Sequence, residues 1–262
     1  MKKSINFTSV SVTNSVQLTE NMQRITLHAD AISSFPAQCE GGYIKLAFNE
    51  QGGTDIQAML DNQQRPILRT YTIKEFHPAQ GEIIVDFVRH NVEDLSGGFA
   101  ARWAMTTQVG DTLSIAGPGV LDPINPQADW FFMAADMTAL PALSAKIKAL
   151  PNTAHGYAVI QVVDLQDKQS IESPEGIEVI WIDESESLSD TVKALPWLTG
   201  KASVWCACEF DNMRALRQYF RNDKNVERSH IYISSYWKMG VTEDGHKILK
   251  QQDAAQASPS LS

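Results

Sequence analysis

The chain is constrained most by a change of hydrophobic texture at Asp122-Pro123-Ile124-Asn125-Pro126-Gln127. Two prolines within four residues make a stiff connector, because each fixes its φ and lacks a backbone donor. Before it, apolar residues alternate with polar ones in short runs at 9–18, 23–28, 42–48, 67–73, 82–89 and 112–115, separated by turn-rich segments. Alternation with a period of two marks half-buried strands, and about six of them fit a small closed barrel. After the connector, the runs at 130–135, 157–163, 177–182, 203–208 and 230–234 are almost continuously apolar and are interleaved with helical patterns. Strands buried on both faces belong to a parallel sheet flanked by helices. The expected fold is an N-terminal six-stranded antiparallel β-barrel over residues 1–124, followed by a C-terminal α/β domain with a parallel sheet over 127–250.

Two helices of the second half are well marked. Thr138 is expected to cap one of them, with Pro141 in its first turn and Leu140, Leu143, Ile147 and Leu150 at helical spacing. Asp211 is expected to cap the other, whose Met213, Leu216, Tyr219 and Phe220 form one apolar face assigned to core. The Gln-, Ala- and Ser-rich tail at 251–262 is expected to be disordered.

Composition excludes several classes. A length of 262 residues with 43% hydrophobic content suits two domains with real cores. The start Met1-Lys2-Lys3-Ser4-Ile5-Asn6 has charge but no apolar core behind it, and no run approaches the ~20 apolar residues of a membrane helix. Three cysteines, Cys39, Cys206 and Cys208, make no disulfide framework, so the cytoplasm is the expected address. A net charge of -9 argues against nucleic acid as a partner. The acids concentrate between 164 and 190, read as a solvated surface, and from Arg214 onward the balance turns basic, through Arg217, Arg221, Lys224, Arg228, Lys238, Lys247 and Lys250. An acidic ligand would prefer that end. The histidines show no ligand spacing, and no protein-bound metal site is expected. Cys206 and Cys208, two apart on a strand, share one face and are read as core.

The chemistry is carried by Arg69-Thr70-Tyr71-Thr72, within the strand at 67–73. Alternation puts Arg69 and Tyr71 on one face and the two threonines on the other. Arg69 offers a planar fork suited to a phosphate, and Tyr71 a ring that can lie against an isoalloxazine with a hydroxyl for a ribityl oxygen. Thr70 and Thr72 offer hydroxyls to a flavin's polar edge. Downstream, Gly97-Gly98 followed by Ala100, Ala101 and Arg102 makes a plausible pyrophosphate cradle, since glycine lets the backbone approach and helix-start amides favour an anion.

These motifs stand in order with others: Glu82 to His90, Gly110-Asp111, Gly117-Pro118-Gly119, Ala135-Asp136-Met137-Thr138-Ala139-Leu140-Pro141, and Tyr236-Trp237-Lys238-Met239-Gly240. Together they resemble the siderophore-interacting proteins, a branch of the ferredoxin-reductase superfamily, over most of the chain. The resemblance implies an FAD-dependent ferric-siderophore reductase that passes electrons from NADH or NADPH, or from reduced ferredoxin, to iron(III) in a siderophore, with no catalytic residue beyond the flavin. It implies flavin contacts from Arg69, Thr70, Tyr71, Thr72, Asp86, Val88, His90, Gly97, Gly98, Ala100, Ala101 and Thr138. Lys45, Arg102, Lys247 and Lys250 are expected to face an anionic ferric chelate, and Asp136 and Glu209 to lie on the nicotinamide side. The chain departs from the family pattern at Gly98-Phe99-Ala100-Ala101, where a phosphate-binding hydroxyl is lost, at Met137, where the family has Glu, and at Cys206 to Glu209, where it has Ala-Gly-Glu. No Gly-x-Gly-x-x-Gly follows the first strand of the second half. Two alternatives stay open: a general flavin or ferredoxin reductase of the same fold, and a non-enzymatic siderophore carrier.

Overall fold

The computed structural model describes residues 6–89, 98–121 and 124–257. The first half is a seven-stranded antiparallel sheet built from β1 (Thr8–Thr19), β2 (Met22–His28), β3 (Tyr43–Phe48), β4 (Ile67–Thr72), β5 (Glu75–His77), β6 (Glu82–Val88) and β7 (Thr112–Gly119), in the order β4-β3-β7-β1-β2-β6-β5. Two short helices accompany it, α1 (Gln57–Asp61) and α2 (Phe99–Thr106).

The expected closed six-stranded barrel is corrected in two respects. β5 is a seventh strand too short to show an alternating pattern, and no ladder joins β4 to β5 at the seam. The chain itself crosses that seam: Ile73 N–H donates to Gly42 O on the β3 side at 2.9 Å, and the next residue, Lys74, donates to Ile84 O on the β6 side at 2.8 Å. Two consecutive residues serving opposite edges curl the sheet without a hydrogen-bonded closure. Inside lie Val10, Ile25, Leu27, Ile44, Leu46, Phe48, Ile83, Val85, Phe87, Leu113 and Ile115, the inward positions of the alternating runs.

The second half is a five-stranded parallel sheet of β8 (Trp130–Asp136), β9 (His155–Gln161), β10 (Gly176–Ile182), β11 (Ala202–Glu209) and β12 (Ile231–Trp237), ordered β10-β9-β8-β11-β12. Helices α3 (Leu140–Lys148), α4 (Leu188–Ala194), α5 (Phe210–Gln218) and α6 (Glu243–Ala257) accompany it. Strand order reverses between β8 and β11, and ligands in open α/β sheets bind outside the carboxyl ends of strands at such a point. β8 and β11 are buried at every residue, as their unbroken apolar runs require. Cys206 and Cys208 lie wholly in this core with sulfurs 3.8 Å apart.

Both expected helix caps are corrected. α3 starts at Ala139 without a side-chain cap, because the Thr138 hydroxyl turns back to Asp136; α5 is capped by Glu209, which accepts from the amides of Asp211 and Asn212. The tail is also corrected over 251–257, while 258–262 fall outside the described residues. Residues 251–257 continue α6, and Asp253 is held there by a bidentate pair from Arg217 at 2.6 and 2.7 Å, a charge-assisted contact that composition could not disclose.

The two halves share core and a buried ionic link. Met22 and Val88 from the first sheet are buried in one cluster with Phe131, Met133, Leu140 and Leu143. Beside it Asp167, fully buried, accepts from Asn21 N at 3.1 Å, from Asn21 Nδ2 at 2.8 Å and from Asp164 N at 3.1 Å. Burial would raise its carboxyl, but these hydrogen bonds hold it below the usual carboxylate range. A carboxyl depressed on folding adds stability that is present above its unfolded value near 4 and is lost as pH falls through the folded value. Asp167→Ala should therefore lower unfolding free energy by about 1–3 kcal/mol in urea titrations at pH 7, with the deficit shrinking below about pH 4. A pH-independent deficit would show that the carboxylate's charge is not what matters.

Candidate functional site

The site has two banks, one on each sheet. On the first sheet, β4 carries Arg69, Thr70, Tyr71 and Thr72. Arg69 and Thr72 are buried and Thr70 is exposed. The Arg69 guanidinium is positioned locally, donating from Nη1 to Leu68 O at 3.0 Å and lying with its Cζ 5.6 Å from the Phe99 ring centroid. Arg102 lies 5.2 Å from the same ring. Phe99 opens α2, so the two guanidiniums sit by the start of that helix.

α2 presents an anion-binding end. Its N-cap, Gly98, has φ +63°, a left-handed conformation that costs a residue with a Cβ roughly 1 kcal/mol. Among the described residues no side chain caps the helix and no acid stands in its first turn, where the amides and the positive end of the dipole favour an anion. Ala100 and Ala101 in that turn are buried. His90 and Gly97 fall outside the described residues.

Tyr71 lies with its ring 4.3 Å from that of Phe87, which backs it rigidly. Burial first, and then the charge of Glu243, push its hydroxyl well above the ordinary tyrosine value, so it remains a protonated donor. Asp86 is otherwise engaged. It sits opposite Arg24 across β2 and β6 and accepts a bidentate pair at 2.7 and 2.8 Å, a cross-strand buttress that the sequence reading missed. Val88 is part of the apolar core between the sheets. Lys45 donates to Thr70 Oγ1 at 3.1 Å and lies over the ring of Tyr43.

The second bank is the switch point. Asp136, at the carboxyl end of β8 and buried, accepts four hydrogen bonds: Oδ1 from Thr138 N at 3.0 Å and Thr138 Oγ1 at 2.6 Å, Oδ2 from Glu209 N at 2.7 Å and Trp237 Nε1 at 2.7 Å. It ties together the ends of β8, β11 and β12. Burial nevertheless holds its carboxyl above the usual range against those donors. Glu209, besides capping α5, accepts from Lys238 Nζ at 3.1 Å, and Lys238 also reaches Asp211 at 2.6 Å. Those two hydrogen bonds push the Lys238 ammonium above its ordinary value, so it stays charged.

α6 joins the banks, and sequence reasoning missed it. Leaving β12 after Trp237, the chain starts this helix with Glu243, which accepts from Thr70 N at 3.2 Å and Thr70 Oγ1 at 3.0 Å. Asp244 lies 3.7 Å from Arg69 Nη1. Further along, buried His246 meets Ser235 Oγ at 2.8 Å and Lys250 donates to Ser234 Oγ and Ser235 O. Lys250 thus anchors the helix to β12, and Lys247 pairs with Glu243 and Asp244 on its own helix. The acidic pair after Thr242 is a helix-start signal, the one cue that could have disclosed this element. Among the described residues no group of three or more His, Cys, Asp or Glu could hold a metal.

Comparison with known proteins accounts for both halves. Residues 11–122 match the family model described as siderophore-interacting FAD-binding domain, and residues 128–240 match that of the siderophore-interacting protein. The chain is 31% identical over 243 residues to the ferric vibriobactin reductase ViuB of Vibrio cholerae, covering 87% of this chain and 88% of that protein. It is 29% identical over 194 residues to the ferric acinetobactin reductase of Acinetobacter baumannii, covering 72% and 66%. Among solved structures, the siderophore-interacting protein SipS from Aeromonas hydrophila superposes with a TM-score of 0.82 at 27% identity over 96% of this chain and 99% of that one. The ferredoxin-NADP+ reductase of Plasmodium falciparum shares the fold, with a TM-score of 0.63 at 12% identity over 88% and 97% of the two chains.

The Asp136 junction makes a checkable statement about this architecture. Asp136→Ala should lower unfolding free energy by about 2–4 kcal/mol in urea titrations, since it orphans the Trp237, Thr138 and Glu209 donors. Asp136→Asn should also destabilise, because its NH2 would face donors; wild-type stability in Asp136→Asn would show that a single acceptor oxygen suffices.

Proposed function

This chain belongs to the siderophore-interacting protein family, and we propose that it is an FAD-dependent reductase of ferric siderophores that works in the cytoplasm and releases iron(II). The observation that carries this reading is the start of α2 at Gly98, without a side-chain cap among the described residues, where Arg69 and Arg102 lie against the Phe99 ring, together with the Tyr71 ring on the same strand as Arg69. A flavin dinucleotide needs a cradle for a diphosphate beside a flat wall for a ring, and these residues fit both demands.

In this reading the α2 amides, Arg69 and Arg102 hold the diphosphate, and Tyr71, braced by Phe87, supports the ring. Thr70 and Thr72 present hydroxyls to the polar edge. When bound, FAD converts a two-electron donor into the single-electron steps that iron(III) requires. The protein supplies no proton to the metal; its part is orientation and charge. A ferric chelate bearing carboxylates or catecholates is anionic, and Lys45, on β3 opposite Thr70, attracts it. Glu243, which shares Thr70 with Lys45, offsets part of that attraction. Lys247 and Lys250 enter as supports of α6 and as background charge. Arg102 contributes from the diphosphate side.

The electron donor engages the second bank. Thr138, Asp136 and Glu209 stand at the switch point where a nicotinamide would enter, with Lys238 as the fixed cation. NADH or NADPH is the first reading. Ferredoxin is the second, favoured by Ala134-Ala135-Asp136-Met137-Thr138, which lacks the glycines that let a backbone approach a nucleotide pyrophosphate.

Anaerobic turnover with NADH, NADPH and reduced ferredoxin against a panel of ferric chelates, with a ferrous trap, tests the proposal; a purified protein that neither retains nor takes up flavin would sink it. Arg69→Ala should weaken FAD binding by about tenfold or more, read from flavin fluorescence on dilution, since one charge-assisted contact is worth about 1.5–3 kcal/mol. Lys45→Ala should raise KM for anionic chelates severalfold with kcat little changed, and Glu243→Gln should lower it. Equal KM values in all three proteins would remove Lys45 and Glu243 from the substrate path.

A further inference from the structure

The basic residues that begin at Arg214 are not consumed by the flavin site. Arg214, Arg217 and Arg221 stand at positions i, i+3 and i+7, one stripe on the face of α5 and the π-helical segment Tyr219–Asp223 that continues it. They line a cavity of about 530 Å³ together with Ala215, Gln218 and Asn222, and no acid is among the lining residues. The carboxylate that pairs with this stripe is Asp253 on α6, which Arg217 engages in bidentate fashion and which lies 3.5 Å from Arg214 Nε. One carboxylate therefore serves two guanidiniums, and among the described residues Arg221 pairs with none.

Arg221 bears the consequence. Its Nε is buried without a hydrogen-bond partner among the described residues. A buried, unpaired donor on a permanently charged group is expensive, and interiors rarely keep one. Burial first, then the positive charges of Arg217 and Arg228, hold its guanidinium below the usual arginine range. The negative end of the helix dipole explains why cations gather in the last turns of α5, but it satisfies no donor. The rest of the side chain is only half-buried, and an oxyanion in the cavity would give Nε the acceptor it lacks among the described residues.

We propose that this cavity is a second ligand site, for a small polyvalent phosphate. The stripe spans roughly 10 Å at 1.5 Å of rise per residue, the reach of two or three linked phosphates. Guanidinium forks match phosphate oxygens bidentately and stay charged at every physiological pH. The site is separate from the flavin. α5 begins at the switch point with Glu209 and runs away from the carboxyl ends of the strands, and α6 begins on Thr70 and has reached Asp253 ten residues later. An occupant would thus lie at the far ends of the two helices.

The test uses the FAD-loaded full chain, with inorganic tripolyphosphate as probe, by calorimetry at 150 mM salt, and citrate as the arm that separates phosphate from polycarboxylate. Saturable binding with one site per chain is expected, together with a rise in Tm. Arg221→Gln and Arg214→Gln should each weaken it about tenfold or more, as loss of one charge-assisted contact requires, while the flavin spectrum stays unchanged. Lys247→Gln, which removes a charge outside the cavity, should bind as wild type does. No saturable binding up to millimolar concentrations overturns the proposal, as does binding that Arg221→Gln leaves intact. Binding of citrate alone overturns the phosphate assignment.

Discussion

Much of this structure depends on one buried carboxylate. Asp136 ends β8 and is the common acceptor for the backbone of β11, the indole of Trp237 at the end of β12 and the turn that starts α3. A parallel sheet has no hairpins to hold its carboxyl ends in register, so side chains must do it. Four donors on one carboxylate accomplish that at a switch point, where strand order reverses and a crevice opens. The same contacts place Glu209 and Lys238, so the polar rim of the crevice follows from the Asp136 junction.

α6 carries that arrangement across to the other sheet. Its first turn brings two acids to Arg69 and Thr70, its middle is keyed to β12 by His246 and Lys250, and its last described turns hold Arg217 through Asp253. Elements 173 residues apart in sequence therefore meet at Thr70 and Glu243. The acids temper the positive charge of β3 and β4: Lys45 and Arg69 would otherwise make an unrelieved cationic face. The charge of this edge then depends on how Lys45 and Glu243 balance, more than on the number of lysines nearby.

Some of the site was legible because its physics is local. The alternation at 67–73 places Arg69 and Tyr71 together whatever surrounds them, and glycine at 98 announces a backbone that side chains disfavour, as its φ of +63° bears out. Caps were read less well. Asp211 and Thr138 are good cap residues by type, yet Glu209 caps α5 and Thr138 serves Asp136. Cap choice depends on which oxygen the strand end delivers first, and strand register decides that. Asp86 illustrates the same limit, since its partner Arg24 is a neighbour only through the pairing of β2 with β6.

By itself, the sequence determined the two fold types, the strand that carries Arg69 to Thr72 and the apolar faces of the helices, because period and composition are properties of short segments. Tertiary structure alone decided that the first sheet stays unclosed at Ile73 and Lys74, that residues 251–257 continue a helix, and that Arg214 and Arg217 share one carboxylate. Those outcomes rest on contacts between distant residues, whose energies no local pattern contains.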